Sequence, residues 1–326
     1  MRRLQASQEG FPLRGVFRIS RGAKQSSEVV TVTLAEQGVV GRGEGTPYAR
    51  YGESMESVLA EIEAARPALE AGIGREELLG LMSPGAGRNA VDCALWDLEA
   101  KQAGCRAWEL AGLPAPSGLV TAYSLSLDTP ARMAAAAAEK ADWPLLKLKL
   151  AGDEDIERVR AVRAAAPDAR LIVDANEAWR PDEFAKLAGA LAPLGVALIE
   201  QPLPADDDRG LAGVPHPVPI CADEACHVAE DVPGLSDRYD VVNVKLDKTG
   251  GLTAALRLVA AAEAAGLGLM VGCMVSSSLS MAPAMLVATR AAFVDLDGPL
   301  LLARDRDSGI RIQEGRMEPP AAALWG

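Results

Sequence analysis

The chain is poor in the residues that most metal and disulfide sites need. Histidine occurs only at His216 and His227, which excludes a histidine-rich metal centre. Cysteine is sparse, odd in number and scattered over Cys93, Cys105, Cys221, Cys226 and Cys273. No Cys-x-x-Cys pair or disulfide framework is visible, which fits a reducing compartment and makes a cytoplasmic location the expectation. Apolar runs of the roughly 18 residues needed to span a bilayer are missing. The opening MRRLQASQEG is basic but lacks the apolar stretch of a signal peptide. Positive charge is in deficit: 33 Lys and Arg against 45 Asp and Glu give a net charge of -12. That field repels phosphate backbones and anionic lipid, so neither nucleic acid nor membrane is an expected partner.

Core material, by contrast, is plentiful. Of the 326 residues 49% are hydrophobic and 24% charged, an ordinary globular balance at a length that suggests two domains. Residues 1–118 read as α+β. Val29–Leu34 and Val39–Gly43 form a hairpin pattern, and Ser54–Leu69 and Asn89–Ala103 carry helical spacing, with Val91, Ala94, Leu95 and Leu98 on one face. The breaker-rich LPAPSG at 113–118 marks the boundary.

Beyond it, short β-rich runs begin near Val120, Leu145, Leu171, Val196, Pro219, Val241, Leu267 and Ala292, with helix-like stretches in most of the gaps. Strand–helix alternation at this period implies right-handed βαβ units and a parallel sheet. Eight strands predict a closed (β/α) barrel over 119–299, with its site at the strands' C-terminal ends. A doubly wound open sheet is the rival, but no Gly-rich dinucleotide loop follows the first strand.

The expected strand ends are polar. They read Lys147-Leu-Lys149, Asp174-Ala-Asn176, Glu200-Gln-Pro, Asp223-Glu224, Lys245-Leu-Asp247-Lys248 and Asp295-Leu-Asp297. A single Lys-x-Lys is usually a solvated face, and a lone strand-end Asp is usually a helix cap. Here three consecutive strands each offer a carboxylate, Asp174, Glu200 and Asp223, and these repel one another unless a hard cation such as Mg²⁺ neutralises them. Lysines flank this trio on both sides. A lysine beside a metal and a second lysine is expected to have a depressed pKa and to act as a base near neutral pH. The metal would then hold a substrate carboxylate and stabilise the enediolate formed when the α-proton leaves. A base on each face describes racemisation or epimerisation.

These segments resemble the enolase superfamily in its muconate-lactonizing subgroup, and within it the dipeptide epimerases. The carrying stretches are Arg21-Gly-Ala-Lys24, GEGTPYARYGES (43–54), RNAVDCALWDLEA (88–100), LLKLKL (145–150), IVDANEAW (172–179), IEQPLP (199–204), ICADEACH (220–227), VNVKLDKTGG (242–251) and VDLDGP (294–299). The resemblance implies a modified (β/α)7β barrel capped by the N-terminal α+β domain, which segment 300–326 would complete. It implies Mg²⁺ on Asp174, Glu200 and Asp223, acid/base roles for Lys149 and Lys245, and an auxiliary role for Lys147. It assigns the dipeptide's ammonium group to Asp295 and Asp297. The distal carboxylate of a Glu-like second residue falls to Arg21 or Lys24, where the family pattern has Arg at or near Lys24. The expected reaction is 1,1-proton transfer on dipeptides such as L-Ala-D/L-Glu, as in murein peptide metabolism. The partner is a small dipeptide, with the oligomeric state left open.

Other readings compete. An o-succinylbenzoate synthase, a lyase, would use the same lysines, as would an N-acyl amino acid racemase. Their substrates lack the ammonium group that Asp295 and Asp297 suit. A non-catalytic metal-dependent binding protein leaves the two lysines without purpose. For the remaining residues the expectations are plainer. Lys248 belongs to a loop facing away from Lys245, and Glu224 faces opposite to Asp223. Asn176 is a neighbour of the metal site or a helix cap. Cys221, Cys226 and Trp96 pack, His227 caps or lies on the surface, and Asp206–Asp208 is solvated.

Overall fold

The structure, a computed structural model, describes residues 2–326. Three antiparallel strands open the chain: β1 (Arg3–Ile19), β2 (Gly22–Glu36) and β3 (Val39–Gly45). Gln37 and Gly38, both at positive φ (52° and 82°), turn β2 into β3, as a tight hairpin requires. Helices α1 (Met55–Ala71), α2 (Arg75–Leu81) and α3 (Ala86–Ala103) follow, and Ser54 caps the first by accepting from Ser57 N. Gly41, Gly43 and Gly45 alternate along β3 toward α3. A Cβ at any of them would strike a backbone carbonyl of that helix, so the spacing is what lets helix and strand touch.

The second part is an eight-stranded parallel sheet. Its strands are β5 (Tyr123–Leu125), β6 (Leu145–Lys149), β7 (Arg170–Asp174), β8 (Val196–Glu200), β9 (Ile220–Ala222), β10 (Val241–Val244), β11 (Gly268–Gly272) and β12 (Phe293–Asp295). The seam between β12 and β5 is bridged where Ala122 N donates to Val294 O and Leu296 N to Thr121 Oγ1, both at 2.8 Å. The barrel is the expected one. Only its first strand differs from expectation: Leu119–Val120 forms β4, which pairs with Arg316–Met317, and the barrel strand begins at Tyr123. Arg316–Met317 is β14, itself paired with β13 (Ile312–Gln313).

Each barrel strand sends one apolar residue inward at the N-terminal end. Ala122, Leu145, Ile172, Leu198, Cys221, Val241, Met270 and Phe293 form that plug. Strand period two then fixes what stands above it. Lys147 and Lys149, Asp174, Glu200, Asp223, Lys245 and Asp295 lie two or four residues further on, so all of them face inward over an apolar floor. The same alternation sends Leu146 and Leu148 outward into the core under the helices.

α3 docks the N-terminal layer on the barrel, and nearly all of it is buried. Arg88 donates to Thr249 O (2.7 Å) and Gly250 O (3.0 Å), and Trp96 Nε1 to Thr253 Oγ1 (2.9 Å). At the far end of the chain, Trp325 Nε1 donates to Cys93 O at 3.0 Å. Among the described residues no helix is long and apolar enough to cross a membrane.

Candidate active site

The inward residues at the barrel mouth form one network of ion pairs. Lys147 Nζ lies 2.6 Å from Glu200 Oε2, 2.7 Å from Asp295 Oδ2 and 3.3 Å from Asp174 Oδ2. Lys149 Nζ meets Asp174 Oδ2 at 2.6 Å. Across the barrel, Lys245 Nζ meets Asp223 Oδ2 at 2.6 Å, and Gly272 leaves room for its stem. β6 and β10 stand four strands apart in the ring of eight, so Lys149 and Lys245 approach from opposite sides.

Burial and neighbouring charge set the protonation of this group. Burial opposes the charge on Lys147 and Lys245, but the facing carboxylates outweigh it and hold both well above the usual lysine value. The depressed lysine pKa expected from sequence is that of a lysine beside bound Mg²⁺; the charges facing Lys147 and Lys245 here are carboxylates. Against the same burial, Lys149 and Lys147 hold Asp174 down at about 2, while burial and the Asp174 charge push Glu200 up to about 7. Lys245 and Lys248 likewise overcome burial and keep Asp223 low.

Lys248 does not face away into a loop. It is buried on the short turn Leu246–Thr249, and its Nζ donates to Asp223 Oδ1 (2.7 Å) and Asn243 O (3.0 Å). The tight turn after β10 folds it back under Asp223, which strand alternation alone does not anticipate. Glu224 also departs from expectation, because it lines the same cavity as Asp223. Asn176, at φ 45°, caps no helix: its backbone N–H donates to Asp174 Oδ1, and its backbone carbonyl accepts from Ser20 and Arg21. His227 packs edge-on against Tyr51 at 4.5 Å, and Asp208 is buried against Arg238 and Tyr239 rather than solvated.

The donor set suits a hard divalent ion. Asp174, Glu200 and Asp223 are fully buried carboxylates from three neighbouring strands. Glu200 Oε2 lies near Lys147 without hydrogen-bond geometry, and Glu224 Oε2 and Asn176 Oδ1 also lack a donor. Among the described residues no three such groups already stand in a metal cage; Lys147 and Lys149 lie against Asp174, and Lys245 against Asp223. Oxygen donors with unsatisfied lone pairs are what Mg²⁺ takes.

A cavity of about 250 Å³ opens above the network. Lys149 and Lys245 both line it; Lys147 and Lys248 do not. Its outer wall comes from the N-terminal layer through Phe17, Ile19, Lys24, Tyr48 and Tyr51. Arg21 and Lys24 differ sharply. Arg21 is engaged by Glu224 (2.6 Å), Glu177 (2.9 Å), Asn176 O (2.8 Å) and Tyr48 Oη (3.2 Å). Lys24 has no ion-pair partner among the described residues, sits 5.8 Å from the Tyr48 ring, and is shifted down by burial. Asp295 and Asp297 are buried beside the cavity rather than on its surface. Asp297 accepts from Ser124 N at 2.6 Å, and burial with the Asp295 charge pushes it up to about 7.

Residues 1–112 match the mandelate racemase / muconate lactonizing enzyme N-terminal domain, and residues 130–323 match the enolase C-terminal domain-like family. The chain belongs to the mandelate racemase / muconate lactonizing enzyme family. It is 46% identical to the L-Ala-D/L-Glu epimerase of Escherichia coli, over 97% of this chain and 99% of that one. It is also 43% identical to an N-acetyl-D-glutamate racemase of Pseudoalteromonas, over 91% and 95%. An enolase-family structure from Agrobacterium tumefaciens, with homology to dipeptide epimerases and solved with sodium and L-Ala-L-Glu, superposes with a TM-score of 0.98. It shares 54% identity with this chain, and all of both chains is covered. More distant dipeptide epimerase structures hold Mg. This family member is therefore an isomerase that uses Mg²⁺, as the resemblance implied.

Several contributors escaped the reading of single residues. Asn243 Nδ2 fixes Glu200 Oε1 at 2.8 Å, and Gln201 Oε1 accepts from Asp223 N at 2.9 Å. Each is adjacent to, or one strand repeat from, a residue already singled out, which was the available signal. Tyr48 and Tyr51 lie inside GEGTPYARYGES, which carried the family resemblance without their side chains being considered.

Proposed function

We propose that the enzyme epimerises dipeptides of the Ala–Glu kind at the α-carbon of the second residue, with Lys149 and Lys245 as the paired acid and base. The observation that carries this reading is that these two barrel lysines, four strands apart, line the cavity while Lys147 and Lys248 do not. Asp174, Glu200 and Asp223 hold the Mg²⁺. When bound, the ion supplies positive charge that offsets the negative charge building on the substrate carboxylate as the α-proton leaves. One lysine takes that proton from one face of the carbon, and the other returns a proton to the opposite face. Lys147 offsets the mutual repulsion of Glu200, Asp295 and Asp174, and Lys248 anchors Asp223 from behind. Asp295 and Asp297 receive the N-terminal ammonium, while Lys24, which has no ion-pair partner among the described residues, meets the distal carboxylate. The reaction is assigned to peptide turnover in the cytoplasm.

The similarity to an N-acetyl-D-glutamate racemase supports a second reading, racemisation of N-acyl glutamate. It needs the same lysines and Lys24, but no cation for Asp297, whose raised pKa also allows a neutral carboxyl to donate to an acyl oxygen. Epimerisation of L-Ala-L-Glu and racemisation of N-acetyl-D-glutamate, each followed with EDTA and with restored Mg²⁺, test both. Turnover of the dipeptide that stops in EDTA and returns with Mg²⁺ is the expected result. Preference for the N-acetyl amino acid would overturn the dipeptide reading.

A further inference from the structure

The long strand β1 leaves its pairing with β2 between Pro12 and Phe17, and the released segment bows toward the barrel. It is stitched down on both sides. Leu13 bridges to Leu302 and Ala303 N donates to Pro12 O at 2.8 Å; Arg18 N donates to Ser126 Oγ at 2.8 Å and Leu127 N to Arg18 O at 3.0 Å. Between the stitches lies a second cavity of about 240 Å³, lined by Leu13, Phe17, Leu125 and Met133 and also by the charged Arg14, Asp128 and Arg132. Phe17 belongs to this cavity and to the catalytic one. Ser124, whose amide holds Asp297, also lines the second cavity.

We propose that Phe17 is a specificity-determining partition: it limits the first residue of the dipeptide to a small side chain. The cavity behind it is a side pocket that would take a larger apolar one. The inference rests on the dipeptide reading, in which the first residue's ammonium reaches Asp297. Ser124 joins Asp297 to the second cavity and Phe17 lines both, which sets the first residue's side chain toward the phenyl ring and the space behind it. A ring at a cavity junction excludes by bulk, and removing it opens room without disturbing Lys149, Lys245 or the carboxylates. The stitches on either side hold the backbone at Phe17 independently of its ring.

The test compares kcat/KM for L-Leu-L-Glu and L-Ala-L-Glu in the full-length Mg²⁺ enzyme, in Phe17→Ala and in Phe17→Val. The parent should prefer L-Ala-L-Glu. Phe17→Ala should raise the Leu/Ala ratio by roughly tenfold or more, the scale of discrimination expected for one methylene in a hydrophobic pocket. Phe17→Val, which keeps a strong strand former, should move the ratio the same way by less. It also carries the test if the alanine variant unfolds. Adding Met133→Phe to either variant fills the second cavity from the helix Pro130–Ala138 and should reverse the gain. An unchanged ratio in a folded variant, or a parent that takes both dipeptides equally, would overturn the proposal. A parent inert toward both dipeptides would overturn the dipeptide reading itself before any variant is made.

Discussion

At the floor of the barrel mouth every charge is answered by another: Lys147 alone faces Glu200, Asp295 and Asp174 within 3.3 Å. At the rim, Lys24 has no ion-pair partner among the described residues, and the wall mixes residues of both layers of the molecule. The floor is built from strand residues whose positions follow from period two over an apolar plug, so its geometry is rigid and its chemistry general. The rim hangs on β1, β2 and the loop after β3, where one substitution changes what is admitted without moving the lysines. Chemistry and selectivity are therefore carried by separate parts of the chain.

Changes at the floor should have the largest effects. Lys149→Ala or Lys245→Ala should lower epimerisation on the order of 10⁴-fold, the upper range for loss of a positioned acid or base, measured as kcat/KM in either direction. Lys248→Ala tests the floor as structure. Removing one cation from the buried Asp223 should cost about 3–5 kcal/mol of stability, read as a lowered Tm and denaturation midpoint. A Lys248 variant of unchanged stability would mean that Asp223 does not depend on it.

Between floor and rim stands Asp297. Asp297→Asn should cut kcat/KM for L-Ala-L-Glu by roughly 30-fold or more, the consequence of removing one partner of a desolvated charge pair. The pH profile gives the same group a signature. With its pKa near 7, Asp297 takes up a proton as pH falls below that value and stops answering the ammonium, so kcat/KM for the dipeptide should fall on the acid side of about 7. Asp297→Asn should shrink that limb, which Glu200, likewise raised to about 7, also shares. The linkage runs the other way for folding: a carboxyl raised in the native state favours it at low pH. Its contribution is lost as pH rises from the ordinary carboxyl value through about 7. The smallest effect belongs to the rim: Lys24→Met should weaken preference for Glu over an uncharged second residue by roughly fivefold, as a partly exposed pair of about 1 kcal/mol implies.

The same division explains what the sequence revealed. Barrel strands such as Leu145–Lys149 and Val196–Glu200 were legible because apolar runs end abruptly in charge, and their bounds agree with the residues expected. β1 was not. Only Leu4 in it is buried and Gly10, Pro12 and Gly15 interrupt the run, so its alternation is weak and pairing with β2 makes it a strand. Lys248 was misplaced because its burial depends on a tight turn and on Asp223, one strand away in space. Phe17 and the tyrosines carry no charge pattern at all; their place at the site follows from how two layers meet.

The central claim is that Lys149 and Lys245 serve opposite faces of one carbon. L-Ala-L-Glu and L-Ala-D-Glu, each incubated in D₂O with the Mg²⁺-loaded Lys149→Ala and Lys245→Ala enzymes, test it by NMR of the glutamyl α-proton. Neither variant should epimerise, and each should still exchange the α-proton of one epimer only, the two variants retaining opposite epimers. Exchange of both epimers by a single variant would contradict it.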